Sequence, residues 1–199
     1  MKAISLLLNA ALLGVNLWIV FRHFYKDGHW DFKSNPGVFR YFTTLSNLFC
    51  GIAAGLYFFC GLFGRVPYAV WLAKYMGTLA VTFTLLVVFC FLAPRHGGLK
   101  PLLEGTNLWW HLLCPLMALV SFVFCEMRRE SFASFLLGLL PVAVYGLVYL
   151  YRVVFAPAEA RWQDFYGFYR GGNWQKSFCV LSGGSVALCV VFWLLSLLL

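Results

Sequence analysis

Residues 41–63 read YFTTLSNLFCGIAAGLYFFCGLF, without a single charged side chain. A helix of that length, rising about 1.5 Å per residue, crosses the roughly 30 Å hydrocarbon core of a bilayer. Its first turns are unlike the rest of it. Thr43, Thr44, Ser46 and Asn47 crowd the beginning, whereas Leu, Phe, Ala and Gly fill most of the remaining turns.

Working outward, five further stretches have the same length and character: about 3–21, 68–92, 108–125, 132–155 and 178–199. Each is apolar all round, which suits helices and not the ten-residue alternation of a barrel strand. The expected fold is therefore all-α: a polytopic membrane protein, a bundle of six transmembrane helices in a single domain over residues 1–199. The first stretch reads as a retained helix. Only Met1-Lys2 precedes it, and it lacks the small-residue pattern of a cleaved leader.

Composition agrees. The chain is 62% hydrophobic and 11% charged, against about 45–50% and about 25% in soluble domains. The net charge of +8 is expected to reflect basic loops beside anionic lipid, which argues against a nucleic-acid partner. Ten basic residues, among them Arg40, Arg95 and Lys100, fall in the loops after the first, third and fifth stretches; five (Lys2, Arg65, Lys74, Arg128 and Arg129) fall on the other side. That bias predicts odd-numbered loops in the cytoplasm and both termini outside. The seven cysteines all lie in or at the ends of apolar stretches, and none forms a Cys-x-x-Cys pair. This argues against a disulfide framework or a zinc site. No carboxylate pair, histidine cluster or phosphate-binding glycine loop appears, so neither a metal nor another cofactor is expected.

Between the helices, Lys26-Asp27-Gly28, Asn35-Pro36-Gly37 and Pro94-Arg95-His96-Gly97-Gly98 read as turns. The 156–176 connection carries Trp162, Phe165, Tyr166, Phe168, Tyr169 and Trp174, a composition suited to the headgroup level. Pro115 and Pro141 lie inside apolar stretches and are expected to free a backbone carbonyl each.

Two polar helix beginnings remain. In the second helix Thr43, Asn47 and Cys50 share a face, and Thr44, Asn47 and Gly51 a neighbouring one. In the fourth, Asn107 lies four residues before His111, the only histidine within a span. The two helices run in the same direction, which sets Thr43 and His111 about 5–10 Å below one membrane face. A threonine hydroxyl is a potential nucleophile, an asparagine amide an oxyanion donor, and an imidazole a general base. The same residues also serve as polar glue between helices, with Asn107 steadying the His111 ring. The residues alone leave both readings open.

The order Tyr41-Phe42-Thr43-Thr44-Leu45-Ser46-Asn47-Leu48, Pro94-Arg95, Asn107-x-x-x-His111, Pro115 and Glu126-Met127-Arg128 resembles the androgen-induced family of six-helix membrane proteins. That family includes regulators of tissue factor pathway inhibitor, and the likeness is greatest to its prokaryotic six-helix branch. The resemblance implies a prokaryotic inner-membrane hydrolase of lipid esters, fatty acid esters of hydroxy fatty acids or similar, with a threonine nucleophile and a histidine base. His111 matches the family histidine, with Asn107 four residues before it. The threonine is Thr43 when aligned on Tyr-x-Thr, and Thr44 when aligned on the following asparagine. The Tyr-Phe-Thr of the prokaryotic members favours Thr43. Asn47 or Asn107 would orient the site or donate to the oxyanion. The competing expectation is a non-catalytic lipid-binding or sensing protein, or a small transporter.

Overall fold

The computed structural model describes residues 2–26, 28–31 and 36–198. Six helices in it are long and apolar enough to cross a membrane: α1 Lys2–Phe24, α2 Phe42–Leu62, α3 Tyr68–Arg95, α4 Trp109–Glu126, α5 Phe132–Phe155 and α6 Trp174–Ser196. Every boundary falls within four residues of the sequence expectation. The chain is all-α, with the architecture of a multi-pass integral membrane protein. A two-residue antiparallel ladder, β1 Tyr25–Lys26 with β2 His29–Trp30, follows α1. The expected turns at 26–28 and 35–37 lie partly outside the described residues; a tight helical turn, Pro36–Arg40, leads into α2. The helices gather into two compact units, Met1–Arg128 and Arg129–Leu199.

In the first unit, α1 turns a stripe of Ser5, Asn9, Leu12, Asn16 and Ile19 inward. These positions repeat at helical spacing, so the buried face of α1 is half polar. Glycines let the neighbouring helices come close. A Cβ on Gly51 of α2 would stand 2.9 Å from Asn16 Cβ, and one on Gly77 of α3 would stand 2.9 Å from Cys50 Cα. Without hydrophobic pressure between helices in lipid, close backbone approach is a main source of association. Leu12, Ile19, Cys50, Ala54, Val81, Trp110, Cys114 and Ala118 form the apolar core of this unit.

Helix α4 is not uniform. Residues Trp109–Leu113 and Phe122–Glu126 form π turns, with Cys114–Ser121 in regular α geometry between them. The first irregularity follows from Pro115. Cys114 N–H reaches back to the Trp109 carbonyl, and Pro115 has no N–H to offer. Neither of the next donors along the helix is therefore available to the Trp110 carbonyl. Pro141 in α5 is accommodated differently, after a tight turn at Leu137–Leu139.

Lys74, one of the five basic residues set against the ten, lies within α3, inside the expected 68–92 stretch, and is 0% exposed. It takes no part in a surface charge bias, which leaves Lys2, Arg65, Arg128 and Arg129 on that side.

In the second unit, α5 and α6 run antiparallel. Phe132 at the start of α5 packs on Trp193 near the end of α6, with ring centroids 5.1 Å apart. Phe155 at the end of α5 meets Trp174 at the start of α6, 5.6 Å apart. Ser131 caps α5, its hydroxyl accepting from Ser134 N–H at 3.2 Å. The aromatic connection folds back on buried Tyr149, around which Trp162, Phe165, Tyr166 and Phe168 pack. Asp164 pins it, accepting from Tyr149 O–H at 2.9 Å and from the backbone N–H groups of Phe168 and Tyr169 at 2.7 and 2.8 Å.

Candidate functional site

The polar beginnings of α2 and α4 meet through one side chain. Asn47 is fully buried. Its Nδ2 donates to the Thr43 carbonyl at 2.8 Å and to the Trp110 carbonyl at 3.0 Å. The second bond supplies the Trp110 carbonyl that the π turn and Pro115 leave without a helical partner. Trp110 is held from its other end as well, where Nε1 donates to Asn16 Oδ1 at 3.1 Å and Asn16 Nδ2 donates to the Leu12 carbonyl at 2.9 Å. The backbone beside His111 is thus fixed from α1 and α2 together.

His111 is half-buried. Its Nδ1 lies 2.6 Å from the Leu102 carbonyl, in the connection between α3 and α4. A carbonyl only accepts, so Nδ1 carries the proton, and the lone pair of the neutral ring resides on Nε2. The ring is steadied by that backbone carbonyl and not by Asn107, whose side chain is exposed at the approach to α4.

The helical rotation separates the two threonines. With Asn47 facing α4, about 100° per residue sets Thr43 roughly 40° to one side and Thr44 roughly 60° to the other. On the Thr43 side, Ser46 lies 2.9 Å from Thr84 and Cys50 abuts Gly77, so that side faces α3. On the Thr44 side, Gly51 abuts Asn16, so that side faces α1. His111 is bonded towards the α3–α4 connection, whereas Trp110 is bonded towards α1. Thr43, half-buried, therefore lies toward the α3 side of α2, and Thr44, 3% exposed, toward the α1 side.

Asn47 holds a different position from the one an oxyanion donor needs. Both protons of its amide are committed to backbone carbonyls, and the atom left without a hydrogen bond is the acceptor Oδ1. Its role here is to clamp α2 to α4. Among the described residues, no three His, Cys, Asp or Glu side chains gather as a metal site.

At the other end of α1–α4 lies a polar centre that the sequence reading passed over. Glu126 Oε1 accepts from Ser5 O–H at 2.8 Å, from Asn9 Nδ2 at 2.5 Å and from Ser121 O–H. Its Oε2 stands 3.8 Å from Lys74 Nζ, and both side chains are 0% exposed. Trp71 Nε1 donates to the Glu126 carbonyl at 3.0 Å. A signal was present in α1, where Ser5, Asn9 and Asn16 recur on one face of a membrane helix. The partners of that face, 121 residues away for Ser5 and Glu126, are set by tertiary packing alone.

Compared with family models, curated proteins and solved structures, the chain matches none.

Proposed function

We propose that the chain is an intramembrane hydrolase of lipid esters, with Thr43 as nucleophile and His111 as general base, related to the prokaryotic branch of the androgen-induced family. The observation that carries the reading is the contact of His111 Nδ1 with the Leu102 carbonyl. With Nδ1–H given to the Leu102 carbonyl, the basic lone pair is at Nε2, on a ring whose flanking backbone Asn47 ties to the Thr43 turn. A positioned imidazole of this kind contributes about 10²–10⁴-fold in acid–base catalysis.

In the reaction, the Thr43 hydroxyl oxygen bonds to the ester carbonyl carbon while His111 Nε2 takes its proton. The tetrahedral adduct collapses, the C–O bond to the alcohol breaks, and Nε2 returns the proton to the departing oxygen. Water then attacks the acyl-threonine, giving its proton to Nε2, and Thr43 leaves protonated as the carboxylic acid is released. The stiff χ1 of a β-branched hydroxyl favours one direction of attack. Substrates would be fatty-acyl esters, such as fatty acid esters of hydroxy fatty acids, reached from the bilayer of a prokaryotic inner membrane.

The non-catalytic reading draws on the bonds of Ser46 and Asn47, which join helices whatever the chemistry. A fluorophosphonate probe applied to membranes carrying the full chain separates the two. Labelling is expected in wild type and Thr44→Ala, and is expected to be lost in Thr43→Ala and reduced about a hundredfold or more in His111→Gln. Equal labelling of all four, or none in wild type, would overturn the proposal.

A further inference from the structure

At the Glu126 end of α1–α4, a cavity of about 270 Å³ opens between the start of α1, the end of α2 with its turn into α3, and the end of α4. Lys2, Ser5, Tyr57, Gly64, Cys125 and Arg128 are among its lining residues. Two are cations, two bear hydroxyls, and among the described residues no carboxylate lines it. The carboxylate closest in sequence, Glu126, is buried against Lys74 and three donors behind the wall.

We propose that this cavity binds the phosphate of an anionic phospholipid. Arg128 is held in place by its neighbours. Its Nη2 donates to the Val66 carbonyl at 3.1 Å, and its guanidinium lies 5.8 Å from the centre of the Trp71 ring. Those contacts fix the plane of a fork whose other N–H groups suit paired phosphate oxygens. Tyr57 lines the cavity together with Arg128. Lys2, exposed at the rim, adds a second charge. Ser5 is shared: it lines the cavity and gives its proton to Glu126. Its hydroxyl therefore ties the floor of the cavity to the buried ion pair.

The source of the phosphate is argued from the surroundings. Gly61 and Gly64 line the cavity, and the chain between them, Leu62 and Phe63, is 55% and 88% exposed. Large apolar side chains so exposed at the end of a membrane helix suit acyl chains. Basic pockets between transmembrane helices are a recurrent way of holding anionic headgroups. The volume lies just below the range of about 300–1,000 Å³ usual for small-molecule sites. It admits a headgroup, leaving the acyl chains on Leu62 and Phe63. The inference is independent of the ester chemistry at the other end of α4.

The test uses the purified, delipidated full chain in detergent, with native mass spectrometry to count bound lipid. Phosphatidylglycerol is expected to bind about tenfold more tightly than phosphatidylcholine. Arg128→Gln and Lys2→Glu are each expected to cut that preference about fivefold, and Arg65→Gln and Arg129→Gln to leave it unchanged. Lys2 is exposed, so its variant reports even if Arg128→Gln fails to fold. Equal binding of the two lipids by wild type would overturn the proposal, as would an equal loss in Arg65→Gln or Arg129→Gln, which would mark diffuse surface charge. Complete displacement of phosphatidylglycerol by millimolar inorganic phosphate would overturn the lipid as the source.

Discussion

Lys74 and Glu126 form an ion pair 3.8 Å apart with neither side chain exposed. The pair is not balanced. Glu126 Oε1 collects three donors, while among the described residues Oε2 and Lys74 Nζ find no hydrogen-bond partner, nor does the buried Asn9 Oδ1 beside them. Charges taken from water regain their solvation only through close, well-bonded partners. This pair joins α3 to α4, and through Ser5 and Asn9 it also holds α1. The network thus ties together three of the helices that meet at this end of the first unit.

Removing one partner is therefore expected to cost more than removing both. Glu126→Ala leaves Lys74 as an uncompensated buried cation and is expected to lower stability by about 3–5 kcal/mol. The double variant Lys74→Met, Glu126→Gln removes both charges and keeps a carbonyl for the Ser5, Asn9 and Ser121 donors. It is expected to recover most of that loss. Thermal unfolding in detergent, followed by tryptophan fluorescence, reads both. A double variant no more stable than Glu126→Ala would show that the pair is not the source of the coupling.

The helices were legible in the sequence because bilayer thickness imposes a length and an apolar composition that residues 41–63 display without help from the rest of the chain. The polar contacts were legible only in part. Thr43, Asn47 and His111 advertise themselves as polar residues in apolar helices. The partner of His111 is the Leu102 carbonyl, and a backbone acceptor carries no residue-type signal. Lys74 falls inside the expected 68–92 stretch, but its partner Glu126 lies in another helix. Burial of that kind depends on which helices adjoin, and periodicity within one segment does not encode it. The π turn at His111 is of the same sort: Pro115 announces a lost bond, but whether the helix kinks, tightens as before Pro141 or widens is decided by what takes up the carbonyl.

Two glycines are expected to respond oppositely to alanine. At Gly77 the added Cβ would stand 2.9 Å from the Cα of Cys50, a backbone atom that moves only if α2 and α3 separate. Gly77→Ala is expected to cost about 1–3 kcal/mol. At Gly14 nothing lies within 4 Å of the added atom. Gly14→Ala is expected to be neutral or to stabilise by up to about 1 kcal/mol, because glycine in a helix interior carries extra conformational entropy. The same unfolding measurement compares them, and equal effects would contradict the close α2–α3 approach.

Asp164 should govern the order of the aromatic connection in the second unit. It accepts from one hydroxyl and two backbone N–H groups, and hydrogen bonds to a charged acceptor are worth about 1.5–3 kcal/mol each. Asp164→Ala is expected to loosen residues 161–169 and to raise the rate of limited trypsin cleavage after Arg161 at least tenfold. The helices α5 and α6 should stay protected, since Phe132–Trp193 and Phe155–Trp174 do not involve Asp164. An unchanged cleavage rate would mean that the packing around Tyr149 holds the connection without its hydrogen bonds.

Pro115 lies four residues beyond His111 and sets the register of α4 there. In the native chain, Cys114 N–H bonds to the Trp109 carbonyl, Pro115 offers no donor, and Asn47 Nδ2 completes the Trp110 carbonyl instead. Alanine at 115 restores an N–H. That donor can bond to the His111 carbonyl in α geometry or to the Trp110 carbonyl in π geometry. In the first case the π turn contracts, residues 109–113 rotate, and His111 is drawn from the Leu102 carbonyl. In the second, the new N–H competes with Asn47 for one acceptor and weakens the clamp between α2 and α4. Contraction is favoured, because π turns are rare beside α-helix and persist where an α-helical donor is missing or displaced. Pro115→Ala is therefore expected to gain helical stability and lose the His111 tautomer lock. Nitrogen-15 spectra of labelled histidine would report the second effect as a mixture of Nδ1–H and Nε2–H forms in place of Nδ1–H alone. A variant that keeps a single Nδ1–H form would show that the Leu102 carbonyl holds the ring whatever the register of α4.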